Sequence, residues 1–318
     1  MKPNHIFKTT FSFFFLLICA TQSTLSQDAE FYVKKGKDAL SKNSLNKAKE
    51  YFQKATKLSP SDPEIYFEIG DAFNSYYPRH YKNYYIYSKA STDLALKYYL
   101  KAIEYKPLFK KAMLEVGDCY KFKKMFAEAS RYYSEAYQLD TTDISPLERL
   151  GDLHLEQKDT LRAIEYYKEG VNSGYLFHNS SIFEKLGTIH FNMGEYNKAI
   201  DWFLLQAGVY HLAKCYLMLG DTVKALAYFN SAYDANDPND KRSDLLEDFA
   251  GIEFLHGDCE NAIKHYRELI ELRPSESQYY FDLGKVYQKM GNTERQKYFY
   301  KIAAKMGNKG AKEYLRRK

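Results

Sequence analysis

Apolar residues recur three and four positions apart along most of the chain, from about residue 29 to residue 310. This spacing places them on one face of an α-helix. An alanine is repeatedly followed four residues later by an aromatic residue, as in Ala129 with Tyr133 and Ala163 with Tyr167. Glycine and polar residues interrupt the pattern at short intervals. The pattern predicts an all-α protein built from short helices.

The helical pattern itself repeats with a period of 34 residues, the interval from Gly36 to Gly70 and from Gly117 to Gly151. Where two helices pack closely, only glycine or alanine fits between the backbones, and the aromatic residue one turn away fills the wider gap. A helical hairpin of this length cannot bury its own apolar face, so it must stack on its neighbours. The sequence therefore predicts a row of stacked helical hairpins.

The stretch from Ala29 to about Gly310 resembles an array of tetratricopeptide repeats. One clear copy runs from Tyr66 to Phe73 and continues from Ala95 to Pro107, and another runs from Lys110 to Asp143. The resemblance implies a right-handed superhelical solenoid of about eight repeats, followed by a capping helix over residues 305–318. The repeats begin near residues 29, 63, 110, 144, 180, 206, 243 and 277.

An insertion interrupts the second repeat, where the interval from Gly70 to Gly117 is 47 residues. The extra residues fall in the segment 74–90, between the two helices of the repeat, and Pro78 opposes an unbroken helix there. Two interpretations stay open: a surface that binds a partner protein or a sugar, or a flap that packs on the adjacent hairpin. The first would use tyrosines suited to binding hot spots, namely Tyr76, Tyr77, Tyr81, Tyr84 and Tyr85.

The fifth repeat is shorter than the others, because Gly187 and its equivalent Ala213 are only 26 residues apart. The second helix of this repeat has lost about two turns of 3.6 residues each. We expect either a shortened helix followed by a tight turn at Gly208 or one merged helix.

The first 27 residues have the layout of a secretory signal peptide, with Lys2 and Lys8 ahead of an apolar core from Phe11 to Ala20. The core is shorter than the ~20 residues of a membrane-spanning helix. We predict export to the periplasm or the cell exterior, with a bacterial envelope as the favoured setting and secretion from a eukaryote as the alternative. An uncleaved anchor and lipidation at Cys19 stay open, and no later stretch is long and apolar enough to cross a bilayer.

The charge and the cysteine content argue against a nucleic-acid-binding protein and against a fold held by disulfides. The formal net charge of the whole chain is +5, and both lysines of the leader contribute to it, which is too little clustered charge for a nucleic-acid partner. Three cysteines lie beyond the leader, in no CxxC pair, so we expect no disulfide framework. Cys119 and Cys215 occupy a repeated inward position, and we interpret them as small, buried, apolar residues.

No catalytic or cofactor-binding motif occurs in the sequence, so we predict a protein without enzymatic activity, cofactor or metal. His154 and His190 occupy matching places in the fourth and fifth repeats, where the third has Tyr120. Two interpretations are possible: the two histidines bind a metal ion together, or each replaces a core aromatic residue. The second interpretation is favoured because no carboxylate or cysteine shares their spacing.

The resemblance also implies a binding surface, because in tetratricopeptide arrays the first helix of each hairpin lines a concave groove. The groove positions would carry acidic residues: Asp71, Asp118 and Asp152 at one equivalent position, and Glu148 and Glu184 at its neighbour. The lysine and asparagine with which some members grip a carboxylate are not repeated here. An acidic groove suits a basic partner segment; alternatively, these carboxylates are only solvated.

These observations predict a non-catalytic scaffold that binds a protein or peptide in its groove. Two alternatives are a carbohydrate or peptidoglycan adaptor and an accessory subunit of an envelope secretion or assembly machine. A fold-level resemblance does not choose among partners.

Overall fold

The computed structural model describes residues 26–75, 84–173, 181–205, 208–234 and 242–317. Within these ranges the chain forms α-helices joined by short turns, and no strand occurs. The chain divides into two compact units, Met1–Leu176 and Phe177–Lys318. None of the helices in the described ranges has the combination of length and apolar character that a bilayer span requires.

The first unit contains eight described helices that pair into four hairpins. Each first helix packs on the second helix of its hairpin, and that second helix packs on the next first helix. The helices are α1 (26–41), α2 (Leu45–Leu58), α3 (Pro63–Asn74), α4 (Tyr84–Tyr105), α5 (Lys110–Phe122), α6 (Phe126–Leu139), α7 (Ser145–Glu156) and α8 (Thr160–Asn172).

The second unit contains four more hairpins and a single last helix, packed in the same order. Its helices are α9 (Ser181–Asn192), α10 (Tyr196–Leu205), α11 (Val209–Met218), α12 (Thr222–Asp234), α13 (Arg242–His256), α14 (Cys259–Leu272), α15 (Ser277–Lys289), α16 (Thr293–Lys305) and α17 (Lys309–Arg316). The last helix packs on α16 through buried Ala311, beside Tyr300 and Ala303.

Six of the eight hairpins are closed by an aromatic ring of the second helix that lies on a glycine of the first helix. A Cβ atom added to Gly117 would lie 2.3 Å from the Tyr133 ring, and one added to Gly151 would lie 2.3 Å from the Tyr167 ring. Real Cβ atoms do not approach a ring so closely, so the close packing requires glycine. The same contact joins Gly36 to Phe52, Gly70 to Tyr99, Gly187 to Phe203 and Gly284 to Tyr300.

A second repeated contact explains the two histidines. Tyr120 stacks on Tyr132 in the third hairpin with ring centroids 5.7 Å apart, and His154 stacks on Tyr166 in the fourth hairpin at 5.3 Å. His190 is buried at the matching place and lies 2.6 Å from the Glu195 carboxylate. The interpretation of His154 as a replacement of a core tyrosine is therefore confirmed. The described residues contain no group of three or more side chains placed to bind a metal ion.

The turn between the two helices of a hairpin differs between the units. In the first unit the left-handed position of the turn is occupied by non-glycine residues, Asn43, Lys124 and Lys158, with φ between 56° and 63°. In the second unit every described turn has glycine there. These glycines are Gly194, Gly220, Gly257 and Gly291.

The structure decides two questions about irregular repeats. In the fifth hairpin α10 stops at Leu205 and α11 starts at Val209, so the helix is shortened rather than merged with the next. It has 10 residues against 13 in α8, so it has lost about one turn, and the prediction of two lost turns was wrong. In the second hairpin α4 begins at Tyr84 and has 22 residues, so residues 84–90 extend the second helix instead of belonging to a loop. This part of the insertion contains no proline or glycine, which permits the helix.

Candidate functional site

The acidic residues of the predicted groove in the first unit are bound to buried tyrosines. The hydroxyl of Tyr133 donates a 2.6 Å hydrogen bond to Asp118, and burial raises the pKa of this tyrosine above its usual range, helped by the Asp118 charge. Each aspartate thus serves as the acceptor that a buried phenol requires. The same bond joins Tyr99 to Asp71 at 2.7 Å and Tyr167 to Asp152 at 2.6 Å.

In the first five hairpins the choice of tyrosine or phenylalanine follows the residue after the small residue of the first helix. Lys37 and Thr188 replace the aspartate in the first and fifth hairpins, and the facing rings there are Phe52 and Phe203, which need no acceptor. In the eighth hairpin Tyr300 finds an acceptor elsewhere, in the Gln288 side chain at 2.9 Å. The repeated Gly-Asp therefore has a role inside the hairpin, which neither the acidic-groove nor the solvated-carboxylate interpretation includes.

One concentration of negative charge lies on α3 and α5. The pKa of the Glu115 carboxyl is raised, chiefly by burial and further by the charges of Asp118 and Asp71. Arg149 from α7 offsets part of this charge, because its guanidinium lies 3.1 Å from Asp118 and 3.5 Å from Glu115. The structure thus brings Asp71 and Asp118 together around Glu115, a residue that the sequence pattern did not single out.

The other predicted groove residues have varied positions. Glu148 and Glu184 are half-buried and both make polar interactions. Glu148 belongs to the first unit and Glu184 to the second. Tyr76, Tyr77 and Tyr81 lie outside the described residues. Tyr84 and Tyr85 form the start of α4, and their side chains also lie outside the described part. The binding role of these tyrosines stays a prediction.

In the second unit the same face has a cleft of about 230 Å³ beside the shortened α10. Its apolar walls are the rings of Phe191, Phe203 and Tyr210, together with the imidazole ring of His211. The His211 ring stacks on Phe203 with centroids 4.7 Å apart. The polar residues lining the cleft are Thr188, Lys214 and Asp244.

A short polar network fixes one wall of the cleft. The Tyr210 hydroxyl donates a 2.9 Å hydrogen bond to Asp248, and the Lys214 ammonium lies 3.3 Å from the same carboxylate. Lys214 also lies over the Tyr210 ring, 5.5 Å from its centroid. Burial raises the pKa of Tyr210 well above its usual value, helped by Asp248, so the phenol stays neutral at physiological pH.

The cysteines of the described chain are all free, as expected from their spacing. Cys119 and Cys215 are buried, and burial raises the pKa of the Cys119 thiol to about 12 and that of the Cys215 thiol to about 11. Both thiols are therefore protonated at neutral pH and pack as small apolar residues.

The sequence pattern does not predict the cleft, although it contains one signal for it. The short interval from Gly187 to Ala213 showed that α10 is truncated, and the cleft lies beside that helix. The interval did not reveal that residues of α9, α11 and α13 would line one space. Such a convergence depends on the packing of three hairpins.

Fold and surface together define a helical-hairpin repeat protein whose first helices carry the candidate site. Three segments match family models: residues 252–291 match a model described as TPR repeat, and residues 29–62 and 185–241 match models described as Tetratricopeptide repeat. The chain is a tetratricopeptide repeat (TPR) protein.

A curated relative and two solved structures are similar to the chain. The TPR repeat-containing protein MJ1428 of Methanocaldococcus jannaschii is 24% identical over 196 residues, which cover 59% of this chain and 32% of the relative. The chain therefore spans about a third of that relative's length.

One solved structure comes from a functional characterization of Pseudomonas aeruginosa PilF. It has a TM-score of 0.49 and 19% identity, and it covers 67% of this chain and 94% of its own. The APC/C hetero-tetramer Cut9–Hcn1 has a TM-score of 0.48 and 16% identity, and it covers 89% of this chain and 58% of its own.

Proposed function

We propose that this TPR protein is an exported, non-catalytic scaffold that binds a partner polypeptide on the faces formed by its first helices. Stacked hairpin repeats present extended surfaces of this kind, and such surfaces are the usual binding sites of repeat proteins. The observation that carries the proposal is the cleft in the second unit, because a ready-made space on the first-helix face gives a partner side chain a place to enter.

The charge around Glu115 supports a partner with a basic segment. This carboxylate is close to Asp71 and Asp118, and the three carboxylates face two cations, Arg149 and Lys121, so their charge is only partly offset. A lysine or arginine of a partner would relieve the repulsion, which favours association mainly through steering and specificity. Glu115 is the residue to change, since Asp71 and Asp118 also hold buried tyrosines.

The substitution Glu115→Gln tests this preference, and Glu165→Gln on the exposed face of α8 is its control with the same change in net charge. We expect Glu115→Gln to slow association with an identified basic partner by a few-fold at low salt, and Glu165→Gln to leave it unchanged. Equal slowing by both variants would show that only the net charge of the protein matters and that Glu115 has no specific role in binding.

Export rests on the leader-like first 27 residues, which offer three candidate cleavage positions, after Ala20, Ser23 and Ser26. The intact mass of the protein isolated from its native cells measures this directly. We expect a mature chain that starts between residues 21 and 27. A mass that includes Met1 or the intact leader would contradict cleavage.

Site-specific photo-crosslinking tests the binding surface. A photoreactive amino acid is placed at the exposed positions Lys111 and Thr188 on first helices, and at Lys168 and Lys301 on second helices as controls. One position of each pair lies in each unit. We expect the first-helix positions to capture a common polypeptide that rebinds the purified protein, and the second-helix positions not to capture it.

Capture only from the second helices would place binding on the opposite face and would overturn the proposal. Reproducible turnover of a substrate by the purified chain would contradict its non-catalytic part.

A further inference from the structure

The cleft beside α10 has a size that selects its occupant. At about 230 Å³ it is smaller than the ~300–1,000 Å³ of sites that hold drug-sized ligands or cofactors. It is larger than the ~150 Å³ cavity that accommodates benzene. One aromatic side chain with room for a substituent therefore fits the space, and a nucleotide or a flavin does not.

The walls of the cleft are suited to a ring. Phe191, Phe203, Tyr210 and His211 contribute four ring systems from three helices, and the stacked Phe203 and His211 rings show that the rings pack face to face here. Aromatic rings gain from offset stacking and edge contacts beyond the area that they bury. A flexible aliphatic side chain gains no such contribution.

The polar lining favours a neutral occupant that carries one hydroxyl group. The lining contains one cation, Lys214, and one anion, Asp244, so the lining residues themselves have no net charge. The Lys214 ammonium is already 3.3 Å from Asp248. A phenol hydroxyl both donates and accepts hydrogen bonds, so it can bind to either group.

Extending the proposed scaffold function, on which this inference rests, we propose that the cleft lined by Phe203, Tyr210 and Lys214 is the anchor site for a tyrosine side chain of the partner polypeptide. Tyrosine supplies a large contact area at a low entropic cost and is enriched at binding hot spots. The ring enters between α9 and α11, and its hydroxyl lies at the polar residues.

A sugar is the competing occupant, since sugars also stack on aromatic rings. A sugar ring carries hydroxyl groups around its edge, and these need several polar partners when buried. Four of the seven lining residues carry rings, and one of the three polar residues, Lys214, is already paired with Asp248. The lining therefore favours the phenol.

The tyrosine side chain itself, p-cresol, is the probe, titrated against the full chain by ligand-observed NMR. We expect a dissociation constant on the order of 1 mM, the strength that a ligand of about eight heavy atoms reaches. Toluene, which lacks the hydroxyl, should bind several-fold more weakly. Methyl N-acetylglucosaminide in the same assay reports on sugar binding.

Two matched variants locate the binding. Thr188→Trp fills the cleft from an exposed lining position, and Lys37→Trp places the same ring at the equivalent, exposed position of the first hairpin. We expect Thr188→Trp to weaken p-cresol binding at least about tenfold and Lys37→Trp to change it less than about twofold. Unchanged circular dichroism of both variants confirms that they are folded.

The outcomes separate the two proposals. Absence of p-cresol binding, equal binding by Thr188→Trp, equal binding of toluene, or binding of the sugar alone would overturn the tyrosine anchor. A partner captured by photo-crosslinking without any p-cresol binding leaves the scaffold function standing and removes only the assignment of the cleft.

Discussion

The same repeat positions have different roles on the first-helix faces of the two units. In the first unit, aspartates after the repeat glycine accept hydrogen bonds from buried tyrosines, and Arg149 adds an ion pair to Asp118. In the fifth hairpin of the second unit, Thr188 and Phe203 replace this pair, α10 stops early, and a cleft lies beside it. Two substitutions and the loss of about one turn of the second helix thus distinguish a surface whose polar groups bond to one another from a surface with an open cleft.

The largest effect is expected at a buried pair found in the second unit. Glu253 and His265 are 4% and 3% exposed, and they lie 2.8 Å apart. Glu253→Leu leaves the imidazole without its partner, and removal of one member of a buried pair costs about 3 kcal/mol or more. Hydrogen exchange of α13 and α14 measures this loss as a lower opening free energy.

Glu253→Gln is the control, because its amide oxygen still accepts a hydrogen bond from the imidazole. It should cost much less than Glu253→Leu, and exchange in the first unit should stay unchanged for both variants. Equal effects of the two substitutions would show that the hydrogen bond to His265 contributes nothing.

The next effect concerns the close contact inside each hairpin. Gly117→Ala places a Cβ atom 2.3 Å from the Tyr133 ring, and overpacking of this kind costs about 2 kcal/mol. Gly251→Ala is the matched control in the second unit, because a Cβ atom there meets nothing within 4 Å. It should stabilise α13 by up to about 1 kcal/mol through helix propensity.

Hydrogen exchange of α5 and α13 measures both changes. Destabilisation by both alanines would mean that glycine is needed for a reason other than the ring contact.

The aspartate–tyrosine bond should be weaker than these contacts but strongly coupled. Asp71→Ala leaves the buried Tyr99 hydroxyl without its acceptor and should cost about 1–2 kcal/mol. Tyr99→Phe removes the hydroxyl itself. The double variant should therefore lose about 1 kcal/mol less stability than the sum of the two single variants' losses. Exchange of α3 and α4 gives the four free energies of the cycle. Additive losses would show that the 2.7 Å contact does not couple the two residues.

The smallest effect distinguishes the turns of the two units. Lys158 has a φ of 63°, and a residue with a side chain is destabilised by about 1–2 kcal/mol in this backbone region. Glycine avoids this strain, but part of the gain is lost because glycine gives the unfolded chain more conformational entropy. Lys158→Gly should therefore stabilise the fourth hairpin by about 0.5 kcal/mol. Gly220→Ala should destabilise the sixth hairpin by a similar amount, since Gly220 has a φ of 78°.

Exchange of α8 and α12 reports the two changes. A loss of stability in both variants would show that side-chain contacts of Lys158 outweigh its backbone strain.

The sequence was sufficient for the repeat fold, because the glycine and aromatic positions are set by one contact that recurs in six of the eight hairpins. Gly151 and Tyr167 show this contact, and their spacing reveals it without a structure. The truncated fifth hairpin was also predictable, as a change of interval.

The candidate site was less accessible to sequence reasoning. The sequence predicts that Asp118 lies in the groove. Its hydrogen bond to Tyr133 joins two helices, and neither helix's sequence pattern indicates this bond by itself. The cleft needs Phe191, Tyr210 and Asp244 to meet from three helices, which depends on how far α10 extends and how its neighbours close around it.

Selection from a random peptide library on the purified protein tests the central claim most directly, since it asks which side chain the second unit prefers without knowledge of the partner. We predict that selected peptides are enriched in tyrosine at one position, that Thr188→Trp abolishes the enrichment, and that Lys37→Trp preserves it. Selected peptides without any aromatic preference, or the same tyrosine enrichment on Thr188→Trp, would contradict the account.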